Sequence, residues 1–416
     1  MRSAEVVQPE RQSSKPHEAG LPVTPRPGSP RRRHAAPDVV MVLENCSYPL
    51  DARVCNEAES LSAAGLEVEV LAPRESGQAV REVINGVHVR RVPLWDGGGT
   101  LLGTAIEYLS ACFTFGAPVL LRLARSRSGT LHVHNPPDLF FPLLLLARLR
   151  GWTTVFDHHD DAAGMLRDKL GRRTSIEALL SWMRNRSASA SDLTITTNDT
   201  QRALIEGAAR DVVIVRNDPP VWFRDYHPSP PNGRARLAFL GEIGEQDRVV
   251  LAVEILASLV AERRVDAELL VIGDGPQRTA VEERAQTLGV GDRVHVTGWV
   301  AYQEVPILLS SAHVGLDTAP LTPVNHGSTM VKILEYLAVG LPVVASALRE
   351  TKISGGSAIT TVEEDSAVAF IEPLAALLTS REEWMRRAAE ARVRGSENQW
   401  SKQVKTLLAA YPALRR

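Results

Sequence analysis

Lysine is scarce in this sequence, with six against forty-one arginines in 416 residues, so a lysine set in an apolar stretch stands out. Cysteine is scarcer still. Cys46, Cys55 and Cys112 form neither a metal spacing nor a disulfide framework, and a reducing, cytoplasmic setting is expected. No run approaches the roughly 20 apolar residues that a bilayer span needs. Leu109 to Leu123 is broken by Gly116, Pro118 and Arg122, and Leu139 to Ala147 is short, so both read as buried helices. Excess charge is lacking too. The formal net charge is -2, and no basic patch carries interleaved aromatics, which argues against a nucleic-acid partner. A strand-linked G-x-G-x-x-G is missing, which argues against a dinucleotide oxidoreductase; Gly97-Gly98-Gly99 reads as a flexible loop.

What is present divides the chain into four parts. Residues 1–37 hold seven Lys/Arg, three Glu and seven Pro without an apolar run, and are expected to be a disordered basic tail rather than a secretory signal. From 38 to 220, strand-like runs at Val39–Leu43, Val68–Leu71, Val87–Val92, Leu131–His134, Thr153–Asp157, Leu193–Thr196 and Val212–Val215 alternate with helical patterns. From 221 to 390 the alternation repeats, with strands at Arg236–Leu240, Glu268–Ile272, Val294–Thr297, Val314–Asp317 and Pro342–Ala345. Pro219 to Ala235 reads as the linker between the halves, and residues 391–416 as a C-terminal helix returning toward the first. The fold class implied is α/β, with two doubly wound Rossmann-like domains facing across a cleft. Ligands of such sheets sit at the carboxyl ends of the strands.

The densest chemistry lies in His326-Gly327-Ser328-Thr329-Met330-Val331-Lys332-Ile333-Leu334-Glu335. Ser328 is the expected N-cap of a helix that Gly340-Leu341-Pro342 ends. Unpaired N–H groups and the dipole at such a terminus suit a pyrophosphate. Lys332, one turn in, is positioned to neutralise phosphate, and Glu335, three residues on, to accept ribose hydroxyls. An i,i+3 ion pair between them on a solvated face is the competing reading. In Asp157-His158-His159-Asp160-Asp161, neighbours on a strand end point to opposite sides, so one cleft histidine tuned by Asp160 or Asp161 is favoured over a metal cluster. His132 and His134 share one strand face. Arg53 and Glu57 are spaced for an ordinary surface i,i+4 pair.

Together these blocks resemble the retaining GT-B glycosyltransferases of family 4. Asp51-Ala52-Arg53-Val54-Cys55-Asn56-Glu57-Ala58 is similar to the family's D-x-R-V-x-x-E-A. His132-Val133-His134-Asn135-Pro136-Pro137-Asp138 and Phe156-Asp157-His158-His159-Asp160 are similar to its V-H-x-H-N and Y-D-x-H-E/D blocks. Gly273-Asp274-Gly275-Pro276 is similar to its G-D-G-P turn, and the Ser328–Ala338 block to a branch with S-T-M-x-K-x-x-E-Y-M-A. The resemblance implies donor contacts from Glu335, Ser328, Thr329, Met330, Val331, Asn325, Gly273 and Gly275, with His159 and Lys332 at the reacting centre. It implies an acceptor side near Arg53, Glu57, Asn135 and Asp138, with no metal and no cofactor beyond the co-substrate. The sequence departs from the family at two places. Gly327 stands where E-x7-E has its first glutamate, and Gly241-Glu242-Ile243-Gly244-Glu245-Gln246-Asp247 replaces G-R-x-x-x-x-K. Lys332, with Asn325 or His326, is expected to take over those contacts.

The implied reaction moves a sugar from a UDP- or GDP-linked donor to a glycan, lipid-linked or small-molecule acceptor. A GT-B epimerase and a non-catalytic sugar-nucleotide-binding protein are the alternatives. The expected location is the cytoplasm, with peripheral contact at the inner face of the cell membrane as an allowed addition.

Overall fold

Two open, twisted sheets carry the molecule. A computed structural model describes residues 37–95, 101–263 and 265–415. The Gly97-Gly98-Gly99 loop and nearly all of the basic tail lie outside the described residues. The first half runs β1 (Val39–Val42), α1 (Ala52–Ala63), β2 (Val68–Pro73), β3 (Arg81–Ile84), β4 (Val87–Val92), α2 (Leu101–Arg125), β5 (Thr130–His134), α3 (Phe141–Leu149), β6 (Thr153–His158), α4 (Ala162–Leu170), α5 (Ser175–Ala190), β7 (Leu193–Thr196), α6 (Asp199–Ile205) and β8 (Val212–Ile214). The second runs β9 (Ala235–Leu240), α7 (Val249–Arg263), β10 (Ala267–Ile272), α8 (Arg278–Thr287), β11 (Val294–Val296), α9 (Val305–Ser310), β12 (Val314–Asp317), α10 (Pro323–Gly327), α11 (Val331–Val339), β13 (Val343–Ser346), α12 (Arg349–Gly355), β14 (Ile359–Val362), α13 (Ala367–Thr379), α14 (Arg381–Glu397) and α15 (Trp400–Ala410).

The described strands order as β3-β4-β2-β1-β5-β6-β7-β8 and as β11-β10-β9-β12-β13-β14. All pairings are parallel except β3 with β4, an antiparallel edge hairpin. The sequence pattern missed β3 because it is exposed on the edge, and β14 because its middle residues, Thr360 and Thr361, are polar. Central strands such as β1, β5 and β10 are buried on both faces, as helices on each side of a parallel sheet require.

In the first half, α1 and α15 pack on one face of the sheet. The inner sides of α2, α3 and α5 cover the other, through Phe115, Leu144 and Ala188 among others. The Leu109–Leu123 segment is therefore only half buried: Phe115 is inside, but Phe113 is 76% exposed. In the second half, α7, α8 and α13 lie on one face and α9, α11 and α14 on the other. The expected linker is partly anchored, since Phe223 is fully buried, with its ring centroid 5.2 Å from that of Tyr302.

The C-terminal segment is two helices separated at Asn398-Gln399. The first, α14, packs on α11, whereas α15 lies on α1 and β8 in the first half. Trp400 Nε1 donates to Ser60 Oγ at 3.0 Å, and Trp400 N donates to Pro219 O at 3.1 Å, so the two main-chain crossings between halves touch.

Candidate active site

The first-half part of the site is built on Asp157, next to the carboxyl end of β6. Asp51 caps α1 by accepting from Val54 N at 3.0 Å. Arg53, in the first turn, donates through Nε and Nη2 to the two oxygens of Asp157 at 2.8 and 2.6 Å, and through Nη1 to Val215 O at 2.8 Å. It also pairs with Glu57 at 3.2 Å. Both residues are buried, so the surface i,i+4 reading is overturned. The bidentate grip on Asp157 draws the pair inward.

His134 and His159 each set Nδ1 at 3.0 Å from Asp157 Oδ2. Burial by itself raises the Asp157 carboxyl, but Arg53 and His159, with the histidine hydrogen bonds, hold it well below the usual range. Burial by itself lowers the His159 imidazole, yet Asp157 beside it raises it to about 9. Nδ1 being committed, Nε2 is the nitrogen that can face a substrate. The neighbouring His158 turns the other way and is pushed down to about 3, chiefly by burial. His132 and His134 stack with centroids 4.2 Å apart, both fully buried, and Tyr411 Oη lies 3.2 Å from His132 Nδ1.

Asn135 shapes the loop that carries His159. Its Oδ1 accepts from His159 N at 2.8 Å and Asp160 N at 3.3 Å, and its Nδ2 donates to Asp160 O at 2.7 Å. Asp138 is buried, and that burial raises it to about 7. Arg53, Glu57, Asn135 and Asp138 are all buried, so any contribution to an acceptor side is made by supporting its floor. Two groups bring ligand-type atoms within 4.8 Å, Glu57-His132-His134 and His134-Asp157-His159. In each, the carboxylate is already paired with the Arg53 guanidinium, against which a divalent cation would stand.

The second-half part lies at the carboxyl ends of β9, β10 and β12. Here the expected helix start is corrected. Thr322 and Pro323 open the short α10, Ser328 is its C-cap, and Ser328 Oγ donates to Val324 O at 3.0 Å; Met330 is the N-cap of α11. Thr329 Oγ1 accepts from Asn198 Nδ2 at 3.0 Å, a contact from the first half to the second. Helix geometry leaves the N–H groups of Val331 and Lys332 in the first turn without helical acceptors.

Lys332 is not on a solvated face and does not pair with Glu335. It is buried, its ammonium bonded to Asp247, 3.7 Å from Asp317 Oδ1 and 4.4 Å from the Phe239 ring centroid. Burial lowers its pKa, but Asp247 and Asp317 more than reverse this. The lysine is thus already neutralised, because the acid-rich loop after β9 folds its Asp247 back onto it. Glu335, also buried, lies beside the Tyr302 hydroxyl; burial raises it to about 7 against the opposing influence of Tyr302 and Lys332. Asn325 donates to Gln246 O at 3.3 Å and Pro320 O at 3.0 Å, while His326 Nδ1 accepts from Arg349 N at 3.1 Å, so both expected substitutes for the missing glutamate tie loops together.

Gly273 and Gly275 allow two loops to touch. Gly273 has φ +140°, and a Cβ there would lie 2.0 Å from Gly241 O; one at Gly275 would lie 2.6 Å from Ile243 N. Sequence reasoning missed Asp247, Asp317 and Tyr302 as partners of the helix. The first bond spans 85 residues and leaves no local pattern. A separate cavity of about 350 Å³, lined by Asp38, Thr130 and Thr153, opens at the amino ends of β1, β5 and β6, the edge opposite the ligand side.

Residues 50–218 match the glycosyl transferase 4-like domain, and residues 234–380 match the glycosyl transferases group 1. The chain belongs to the family 4 glycosyltransferases of GT-B fold. Among curated relatives, the 2-deoxystreptamine glucosyltransferase of Streptomyces kanamyceticus is 32% identical over 116 residues, 28% of this chain and 28% of that one. The GDP-mannose-dependent alpha-(1-6)-phosphatidylinositol dimannoside mannosyltransferase of Mycobacterium tuberculosis is 27% identical over 285 residues, 64% of this chain and 69% of that one. The chain thus aligns with little more than a quarter of the first of these relatives. Sucrose-phosphate synthase of Thermosynechococcus elongatus has the same fold, with TM-score 0.67, 16% identity, and coverage of 91% of this chain and 98% of that one.

Proposed function

We propose that this chain transfers a glycosyl unit from a UDP- or GDP-linked sugar to a glycan, lipid-linked or small-molecule acceptor, with the anomeric configuration retained. The observation that carries this reading is the first turn of α11. Free N–H groups, Lys332 and the buried Glu335 beside Tyr302 lie there within one stretch of helix. Glu335 accepts the ribose hydroxyls. The diphosphate accepts from the helix terminus and draws Lys332 from Asp247, an electrostatic stabilisation of the leaving group. His159, as imidazolium, lies beside the transferred sugar. The bond from the anomeric carbon to the diphosphate oxygen breaks as the acceptor oxygen bonds on the same face, and the acceptor proton passes to the departing phosphate.

Asp157 is held by three side chains and makes a poor covalent nucleophile, which supports same-face attack over a glycosyl-enzyme intermediate. No metal is needed in this scheme, and the cytoplasmic side is the setting in which nucleotide sugars are met. The named activities of the two relatives favour a small cyclic or a lipid-linked glycan acceptor.

A panel of UDP- and GDP-sugars with such acceptors tests the reading, scored by free diphosphate and by the anomeric coupling in the product's proton spectrum. Inversion sinks the stereochemical part. Conversion of donor without acceptor favours the epimerase, and thermal stabilisation by UDP or GDP with no turnover favours the binding protein.

A further inference from the structure

Helix α2 is apolar on two sides. Ala111, Phe115, Val119 and Leu123 recur at four-residue spacing and are buried against the sheet. Ile106, Leu109 and Phe113 recur on the outer side, 43%, 61% and 76% exposed. A helix apolar all round is ordinarily covered on both sides. The outer side continues sideways, because α2 touches α3, and α3 touches α5. There Leu149 is 82% exposed, and Leu179 and Trp182 are about half exposed. A patch of this extent marks a surface that meets something.

The charges say what. On α2 to α5 and the turns joining α3 to β6 and α4 to α5, every exposed charged side chain described is cationic: Arg125, Arg150, Lys169, Arg172, Arg173 and Arg186. The acids of these elements are withdrawn: Glu177 is buried, Glu107 and Asp168 are half buried, and Asp168 accepts from Val324 N. This stands against a whole chain whose net charge is -2. Apolar and aromatic side chains ringed by cations fit the boundary of a bilayer with anionic headgroups, where Trp settles at headgroup depth and Arg and Lys meet phosphate. A second copy of the same face would bring like charges together. Among the described residues no helix is long and apolar enough to cross a membrane, so the contact is superficial.

We propose that the outer face of α2, α3 and α5 docks this protein peripherally on an anionic lipid surface. The inference does not depend on the transfer reaction. From this face α4 leads back to the His159 loop, so a docked molecule keeps the lip of its cleft close to the lipid.

The test is co-sedimentation of the full chain with vesicles of phosphatidylcholine alone or of equimolar phosphatidylcholine and phosphatidylglycerol. Binding is expected only to the anionic vesicles, and raising salt from about 0.1 M to about 1 M should release the protein. Phe113→Asp and the pair Arg172→Glu with Arg173→Glu should each weaken binding more than tenfold while leaving the thermal unfolding midpoint unchanged, since all three side chains are exposed. No binding, equal binding to neutral vesicles, or wild-type binding by both variants overturns the proposal. A dimer in solution that Phe113→Asp dissociates, without vesicle binding, overturns it too and assigns the face to a second copy.

Discussion

Arg53 holds both carboxylate oxygens of Asp157, a residue 104 positions later in the chain. One helix start is thereby locked to the strand end that presents His159. Arg53→Lys cannot reproduce a planar fork, and Arg53→Ala strands two buried carboxylates. A loss of about 3–5 kcal/mol is expected for the alanine variant, measured by denaturant unfolding, with the lysine variant between it and wild type. Equal stability of all three would make the grip incidental.

The pH dependence of transfer should reflect two groups. Glu335 must be ionised to accept ribose hydroxyls, which requires pH above about 7, and His159 must be protonated, which requires pH below about 9. A bell-shaped kcat/KM profile between those values is expected. Glu335→Gln should erase the acid limb and raise the donor KM. His159→Gln should erase the alkaline limb and lower kcat.

His159 also carries a stability signature. Its folded value of about 9 lies above its ordinary 6.5. The stability it contributes is therefore complete below about 6.5 and is lost as pH rises through about 9. The contribution is on the order of 3 kcal/mol. Thermal unfolding followed over that window should show a falling midpoint in wild type and a flatter curve in His159→Gln.

Lys332 and Asp247 call for a double substitution, because Lys332→Met alone leaves the buried Asp317 and the half-buried Asp247 unpaired and confuses folding with binding. Asp247→Asn should free the lysine and tighten donor binding by up to about tenfold, about 1.4 kcal/mol. Lys332→Met with Asp247→Asn should regain most of the stability lost by Lys332→Met, yet bind donor poorly. Full recovery of donor affinity in the double variant would leave Lys332 a structural residue.

Gly273→Ala should be severe. The Cβ would meet Gly241 O at 2.0 Å, and the +140° backbone is strained for any side chain. Loss of donor-induced thermal stabilisation is expected even where the variant still folds. Gly207→Ala, with no heavy atom within 4 Å of the added carbon, is the control.

Much of the fold could be read from the chain because buried parallel strands are written as short apolar runs, and the strand ends fell within a residue or two. β14 escaped since two of its four residues are threonine, and β3 since an exposed edge lacks the apolar signal. In the site, alternation correctly set His132 and His134 on one face. The carboxylate expected beside the cleft histidine was Asp160 or Asp161, whereas His159 bonds Asp157, two residues back on the strand end. Alternation could not reveal that Lys332 turns to Asp247 rather than Glu335, because pairing across sheets has no period. The Ser328 reading failed for a local reason: Thr322-Pro323 start a helix of their own and use Ser328 to end it.

The main chain passes between the two halves twice, and the passages are bonded to each other where Trp400 N meets Pro219 O. The two halves are therefore joined at one doubled seam, to which Asn198 and Thr200 add side-chain bonds to Thr329 and Glu350. A nick in either passage would leave the halves attached through the other.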